Sequence, residues 1–165
     1  MNVNDVLVDR LATSLLQHGA RVATAESCTG GWIAKTLTDI PGSSEWFEYG
    51  FVSYSNKAKT DLLSVDSALI EKHGAVSEAV AVAMAFGATE RSGAEFAVAV
   101  TGIAGPDGGT ADKPVGTVWF AWRCGDSTTT QCKVFEGDRD TVRRQTVTHA
   151  LLKLAEKVER AAGGT

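Results

Sequence analysis

Leu7, Leu11 and Leu15 recur every fourth residue, with Asp9, Arg10 and Gln17 on the other faces. That spacing predicts an amphipathic helix, stopped by His18-Gly19. Residues 21–25 read as a short strand that runs through Glu26-Ser27-Cys28-Thr29-Gly30-Gly31 into a helical stretch over 32–37. Pro41-Gly42-Ser43-Ser44 is a turn signal. Residues 51–54 predict a second strand, followed from Asn56 by a helix carrying Lys57, Lys59, Leu62 and Leu63. A longer helix opens near Ser77-Glu78, a cap and a first-turn carboxylate. Its Val80, Ala83, Met84 and Gly87 form a face of small residues suited to close packing on a sheet. The apolar run over 95–100 leads to Gly102, as expected of a strand covered on both faces. Residues 102–114 form a long Gly/Pro/Asp loop. Residues 115–124 and 127–135 predict a hairpin around Gly125-Asp126. The last helix starts near Asp138 or Asp140, with Val142, Val147, Ala150, Leu151, Leu154 and Val158 as its apolar stripe.

Strands that alternate with helices, followed by a hairpin, predict a three-layer α/β/α sandwich with a mixed β-sheet. Ligands in such sheets bind at the carboxyl ends of parallel strands. Two of the predicted strands end there in unusual loops, at Ser27 and at Gly102.

At 165 residues the chain reads as a single domain spanning 1–165. Its 44% hydrophobic and 22% charged residues are ordinary for a globular protein. No apolar run reaches the ~18 residues of a membrane span. The polar start, Met1 to Asp5, is unlike a signal or transit peptide, so a cytoplasmic protein is expected. Sixteen Lys+Arg against twenty Asp+Glu give a net charge of −4, which weighs against a nucleic-acid partner. Cys28, Cys124 and Cys132 cannot all pair with one another, and reduced thiols fit the same compartment. There is no CxxC and no dense His/Cys cluster, so no structural metal site is expected.

The turn Ser27 to Gly31 can present a serine hydroxyl and expose N–H groups at a helix start, to hold a phosphate or an oxyanion. The simpler alternative is a capped turn eased by glycine. Cys28 in the same turn is a second nucleophile to weigh, but none of His18, His73 and His149 is placed as its partner. A serine needs a base. A lysine becomes one only if burial lowers its pKa from ~10.4 toward 7–8. Lys57 and Lys59 are the lysines at hand, with Tyr54 able to relay a proton; solvated lysines and a packed tyrosine are the alternative. In the 102–114 loop, Gly102 and Gly105 let the backbone approach a ligand, and Asp107 can bond a sugar hydroxyl. Arg139 and Arg143 lie one turn apart and read either as a phosphate clamp or as partners of Asp138 and Asp140. His73 reads as a helix end, His149 as core or surface, and Trp46, Phe47, Trp119, Phe120 and Trp122 as packing.

Four segments then occur in one order: 25–31 (AESCTGG), 50–56 (GFVSYSN), 74–78 (GAVSE), and 100–109 (VTGIAGPDGG) with 113–118 (KPVGTV). Together they closely resemble the C-terminal domain of the CinA (competence/damage-inducible) family, over about residues 5–158. The resemblance implies a bacterial nicotinamide-nucleotide amidase. Such an enzyme would hydrolyse the carboxamide of nicotinamide mononucleotide (NMN) to nicotinate mononucleotide and ammonia, in pyridine-nucleotide recycling and without a cofactor. Some family members carry a second, N-terminal domain, and this chain looks like the stand-alone form. The family's catalytic serine, tyrosine and lysine would fall on Ser27, Tyr54 and Lys59. Backbone N–H groups around Thr29, Gly30 and Gly31 would hold the oxyanion. The resemblance does not assign the phosphate; by their chemistry Arg139, Arg143 and the glycine loop are the candidates to hold it. The implied partners are NMN and water, with no nucleic acid and no membrane, and homo-oligomerisation is left open. Two rivals remain: a non-catalytic nucleotide-binding module of the same fold, and a thiol hydrolase using Cys28.

Overall fold

Helix α1 spans Val3–His18. The Asn2 side chain accepts the Asp5 N–H while the Asp5 carboxylate accepts the Asn2 N–H, a capping box that fixes the start. Gly19, at φ +62°, ends it in the left-handed region. This chain is described from a computed structural model over residues 2–163. After α1 come β1 (Val22–Glu26), α2 (Trp32–Thr38), a 3-10 turn (Ser43–Glu45), β2 (Phe47–Val52), α3 (Asn56–Leu63) and α4 (Ser67–His73). Then follow α5 (Glu78–Ser92), β3 (Phe96–Gly102), β4 (Thr117–Cys124), β5 (Ser127–Val134) and α6 (Arg139–Gly163).

The sheet order is β2-β1-β3-β4-β5. β1 runs parallel to β2 and β3, while β3/β4 and β4/β5 are antiparallel. The expected mixed sheet and hairpin are therefore present, and helices cover both faces. Strand alternation divides the core by residue size. Val22, Phe96, Val98, Val100, Phe120 and Trp122 face α1, α2 and α6. Ala23, Ala25, Ala97, Ala99 and Ala121 face α5 with its neighbours α3 and α4. The alanine face lets α5 lie close to the sheet through its own Ala81, Ala85 and Ala88.

Three expectations need correction. The second strand begins at Phe47 and ends at Val52, so Ser53 and Tyr54 lie beyond it. Its hydrophobic period is hidden because the register to β1 slips between Phe47 and Tyr49. Phe47 consequently packs on the α1/α2/α6 side and Phe51 on the α5 side, although both have the same parity. Helix α4 was visible only as its end at His73. The close approach at Gly87 is to α3: a Cβ there would sit 2.1 Å from the Leu63 carbonyl oxygen, at the end of that helix. Gly87→Ala gains ~1 kcal/mol of helix preference but forces α3 and α5 apart. Overpacking of ~1–3 kcal/mol should win, and denaturant unfolding should show a net loss of stability.

Parallel pairing sets the ends of β1, β2 and β3 side by side, with Glu26 opposite both Val52 and Val100. The chain leaves these strands through Ser27, through Ser53-Tyr54 and through Gly102.

Candidate active site

Two backbone links extend the parallel pairing by one residue. The Ser27 N–H donates to the Val100 carbonyl (3.1 Å), and the Ser53 N–H donates to the Glu26 carbonyl (2.8 Å). Ser27 is thereby held between the other two strand ends. Beyond β2, Ser55 caps α3 by accepting the Ala58 N–H. Lys59 is the fourth residue of α3. Helical side chains lean toward the N-terminus of their helix, so Lys59 reaches back to the residues that precede α3. Its Nζ lies 3.0 Å from Ser27 Oγ, 3.1 Å from the Ser53 carbonyl oxygen and 2.9 Å from the Tyr54 carbonyl oxygen.

The lysine is 1% exposed. Burial favours the neutral amine and pushes its pKa below the ordinary lysine value. A neutral amine has two N–H donors and one lone pair. With both donors on carbonyls, the lone pair faces the serine hydroxyl, which then donates to Nζ. When the amine is protonated it donates to Ser27 Oγ, and the hydroxyl can donate to the Tyr54 carbonyl at 3.2 Å. The two carbonyls orient the amine, as the third group of a triad orients its base. Lys57, two residues earlier, is exposed and paired with Asp61, which raises its pKa.

Cys28 lies beside this pair, buried, its thiol pushed up to about 12 by burial. A thiol that stays protonated is a poor nucleophile, which counts against the thiol rival.

One cleft contains Ser27, Lys59, Tyr54, Gly102 and Arg139. Sequence reasoning missed Asn56, Ala75, Val76, Thr101 and Ala104 in its lining. Thr101 donates its hydroxyl to the Ala75 carbonyl and so ties the 74–76 segment to the end of β3. The Arg139 guanidinium donates to the Gly105 carbonyl at 2.8 Å and to the Tyr54 hydroxyl at 3.3 Å. Gly105 thus acts on the arginine through its carbonyl. Gly102 is required by packing, since a Cβ there would come within 2.7 Å of Val118.

Other expected site residues lie elsewhere. Thr29, Gly30, Gly31 and Arg143 line a separate groove with Trp32 and Lys35. The buried Glu26 lies against the start of α2, just past this turn. Its carboxylate accepts the Thr29 hydroxyl (2.6 Å) and the N–H groups of Ile33 (2.8 Å) and Ala34 (3.0 Å). The start of α2 is thus already filled by a carboxylate of the chain. The Gly30 N–H donates to the Ser27 carbonyl. Arg143 donates to the carbonyls of Cys28 (3.0 Å) and Thr29 (3.2 Å) and lies over the Trp32 ring. The expected Arg139/Arg143 clamp is therefore divided between two sites. Their acidic neighbours are engaged elsewhere: Asp138 accepts the Thr141 N–H and Asp140 pairs with Arg144. Asp107 is exposed and outside the cleft lining. Nothing in the sequence marks the Ser53 and Tyr54 carbonyls as partners of the base, because every residue type carries that group.

Of the expected packing residues, Phe47 and Trp119 are half-buried against the core. Trp46, Phe120 and Trp122 are buried. His149 packs against Phe120, Trp122 and Phe135, and burial pushes its pKa down to about 4. Among the described residues no group of three His, Cys, Asp or Glu could hold a metal, and no helix is long and apolar enough to cross a membrane.

Fold and site define an α/β/α protein with a serine–lysine pair, a grouping that can activate a hydroxyl for acyl transfer. The chain belongs to the CinA C-terminal domain family, whose pattern matches residues 4–158. It is 53% identical over 150 residues to nicotinamide-nucleotide amidohydrolase PncC of Escherichia coli K12, covering 90% of each protein. It is 55% identical over 145 residues to the Pseudomonas putida protein of the same name, covering 88% of this chain and 91% of that one. Among solved structures, competence/damage inducible protein CihA from Agrobacterium tumefaciens superposes with a TM-score of 0.91 at 43% identity, covering 96% of this chain and 97% of the other. A CinA superfamily protein from Klebsiella pneumoniae also gives 0.91, at 39% identity, covering 97% and 99%.

Proposed function

We propose that residues 1–165 act as one catalytic domain that hydrolyses the carboxamide of NMN to nicotinate mononucleotide and ammonia. The observation that carries this reading is the 3.0 Å approach of the buried Lys59 amine to the Ser27 hydroxyl. The names of the stand-alone relatives supply the substrate. In the first half-reaction Lys59 takes the Ser27 proton as Oγ bonds to the carboxamide carbon. The resulting ammonium lies beside the tetrahedral centre and offsets its negative charge. It then returns the proton to the departing nitrogen as the C–N bond breaks, giving ammonia and a Ser27 ester. Water attacks the ester, Lys59 takes the water proton, and Ser27 recovers it as nicotinate mononucleotide leaves. No redox partner enters this balance. The setting we infer is the cytoplasm, in pyridine-nucleotide recycling, with NMN and water as the only partners the chemistry requires.

Arg139 is the phosphate-binding group in this reading. Its two protein partners are neutral oxygens, so its charge remains available to an anion in the cleft. Nicotinamide riboside carries the same amide without the phosphate. A charge-assisted hydrogen bond is worth ~1.5–3 kcal/mol. The riboside should therefore show a kcat/KM roughly 10- to 150-fold lower in an ammonia-release assay, and Arg139→Ala should narrow the gap. Equal efficiency on both compounds would remove the phosphate site.

A further inference from the structure

We infer that the Tyr54 phenol is a positioning residue for the Arg139 guanidinium and takes no part in moving the serine proton. The inference rests on the reading of Arg139 as the phosphate site. An amine nitrogen has three positions besides its carbon, and Lys59 has all three engaged, on Ser27 Oγ and the Ser53 and Tyr54 carbonyls. A phenol could join Lys59 only by displacing one of them. The phenol is bonded to another group: Tyr54 is 57% exposed, and its oxygen accepts from Arg139 Nη2 at 3.3 Å.

Tyr54 thus serves two sites through two parts of one residue. Its carbonyl holds the base, and its hydroxyl holds the arginine. Arg139 opens α6, and its long side chain has many rotamers. Two bonds on different nitrogens, to Gly105 and to Tyr54, restrict the plane of the fork. Its other N–H groups remain for an anion. Restricting the fork before the substrate arrives lowers the ordering cost of binding, so the phenol acts on affinity for the phosphorylated substrate.

Tyr54→Phe tests this, since it removes the hydroxyl and keeps the ring and the carbonyl. The KM for NMN should rise roughly 3- to 10-fold, the loss expected of one hydrogen bond. The kcat should stay within about twofold, the acid limb of its pH profile should not move, and the KM for the riboside should not change. In an Arg139→Ala background the same substitution should have no further effect on the KM for NMN. A kcat loss of about 100-fold or more on both substrates, or a moved acid limb, would place the phenol in proton transfer and overturn the inference. An unchanged KM for NMN would overturn it as well. Wild-type protein without NMN turnover would remove the amidase reading and this inference with it, whereas active wild type with a Tyr54→Phe kcat defect would remove this inference alone.

Discussion

Lys59→Met should lose about 10²–10⁴ in kcat, the usual worth of a positioned acid–base group. Methionine keeps an unbranched, largely apolar side chain and removes the amine, so any loss reports on the amine itself. Lys59→Arg should fail too, because a guanidinium stays protonated and cannot act as base. Lys57→Met is the contrast: that lysine is exposed and bonded to Asp61, and its loss should leave kcat within about twofold, as for an ordinary surface change. The wild-type rate should fall on the acid side, as the amine gains its proton below its depressed pKa. Stability carries the same signature. Between that pKa and the ordinary ~10.4 of an exposed lysine, the unfolded chain binds more protons than the folded one, so stability rises with pH across the window. Below the window the burial penalty on the ammonium is fully present. Denaturant titrations of Lys59→Met should lack this rise. Full activity in Lys59→Met, with a wild-type pH profile, would mean that the serine proton goes elsewhere.

Ser27→Ala should lower turnover by several orders of magnitude and leave the fold intact. The Ser27 backbone N–H still meets the Val100 carbonyl, and the side chain loses only its Oγ. Cys28→Ala should retain substantial activity, because the thiol is held neutral by burial. The reverse pattern, an inactive Cys28→Ala and an active Ser27→Ala, would move the nucleophile one residue along the turn. Both variants sit in the same turn, so the comparison controls for general disturbance of that turn.

The layered fold was legible because each element repeats its own period. Leu7, Leu11 and Leu15 mark a helix, the 95–100 run marks a strand buried on both faces, and Gly125-Asp126 marks the hairpin. β2 was misplaced because its register slip puts Phe47 and Phe51 on opposite faces of the sheet. The serine and the lysine were legible as residue types, and the structure brings them together. A step of two along α3 separates the buried Lys59 from the exposed Lys57. The proposed anion site was only half legible. Arg139 and Arg143 look equivalent by spacing, but one reaches Gly105 and Tyr54 while the other is used on the Cys28 and Thr29 carbonyls. Glu26 decided the matter at the start of α2. A buried carboxylate folding forward onto Ile33 and Ala34 leaves no mark in spacing or composition.

If Ser27 carries the acyl group, the mass of its peptide shows it. Wild-type protein turning over NMN would be quenched in acid and digested, and the peptides weighed. The nicotinate mononucleotide acyl group should appear as an ester on Ser27 and be absent from Ser27→Ala. An acyl group found on Cys28, or ammonia released at the wild-type rate by Ser27→Ala, would contradict it.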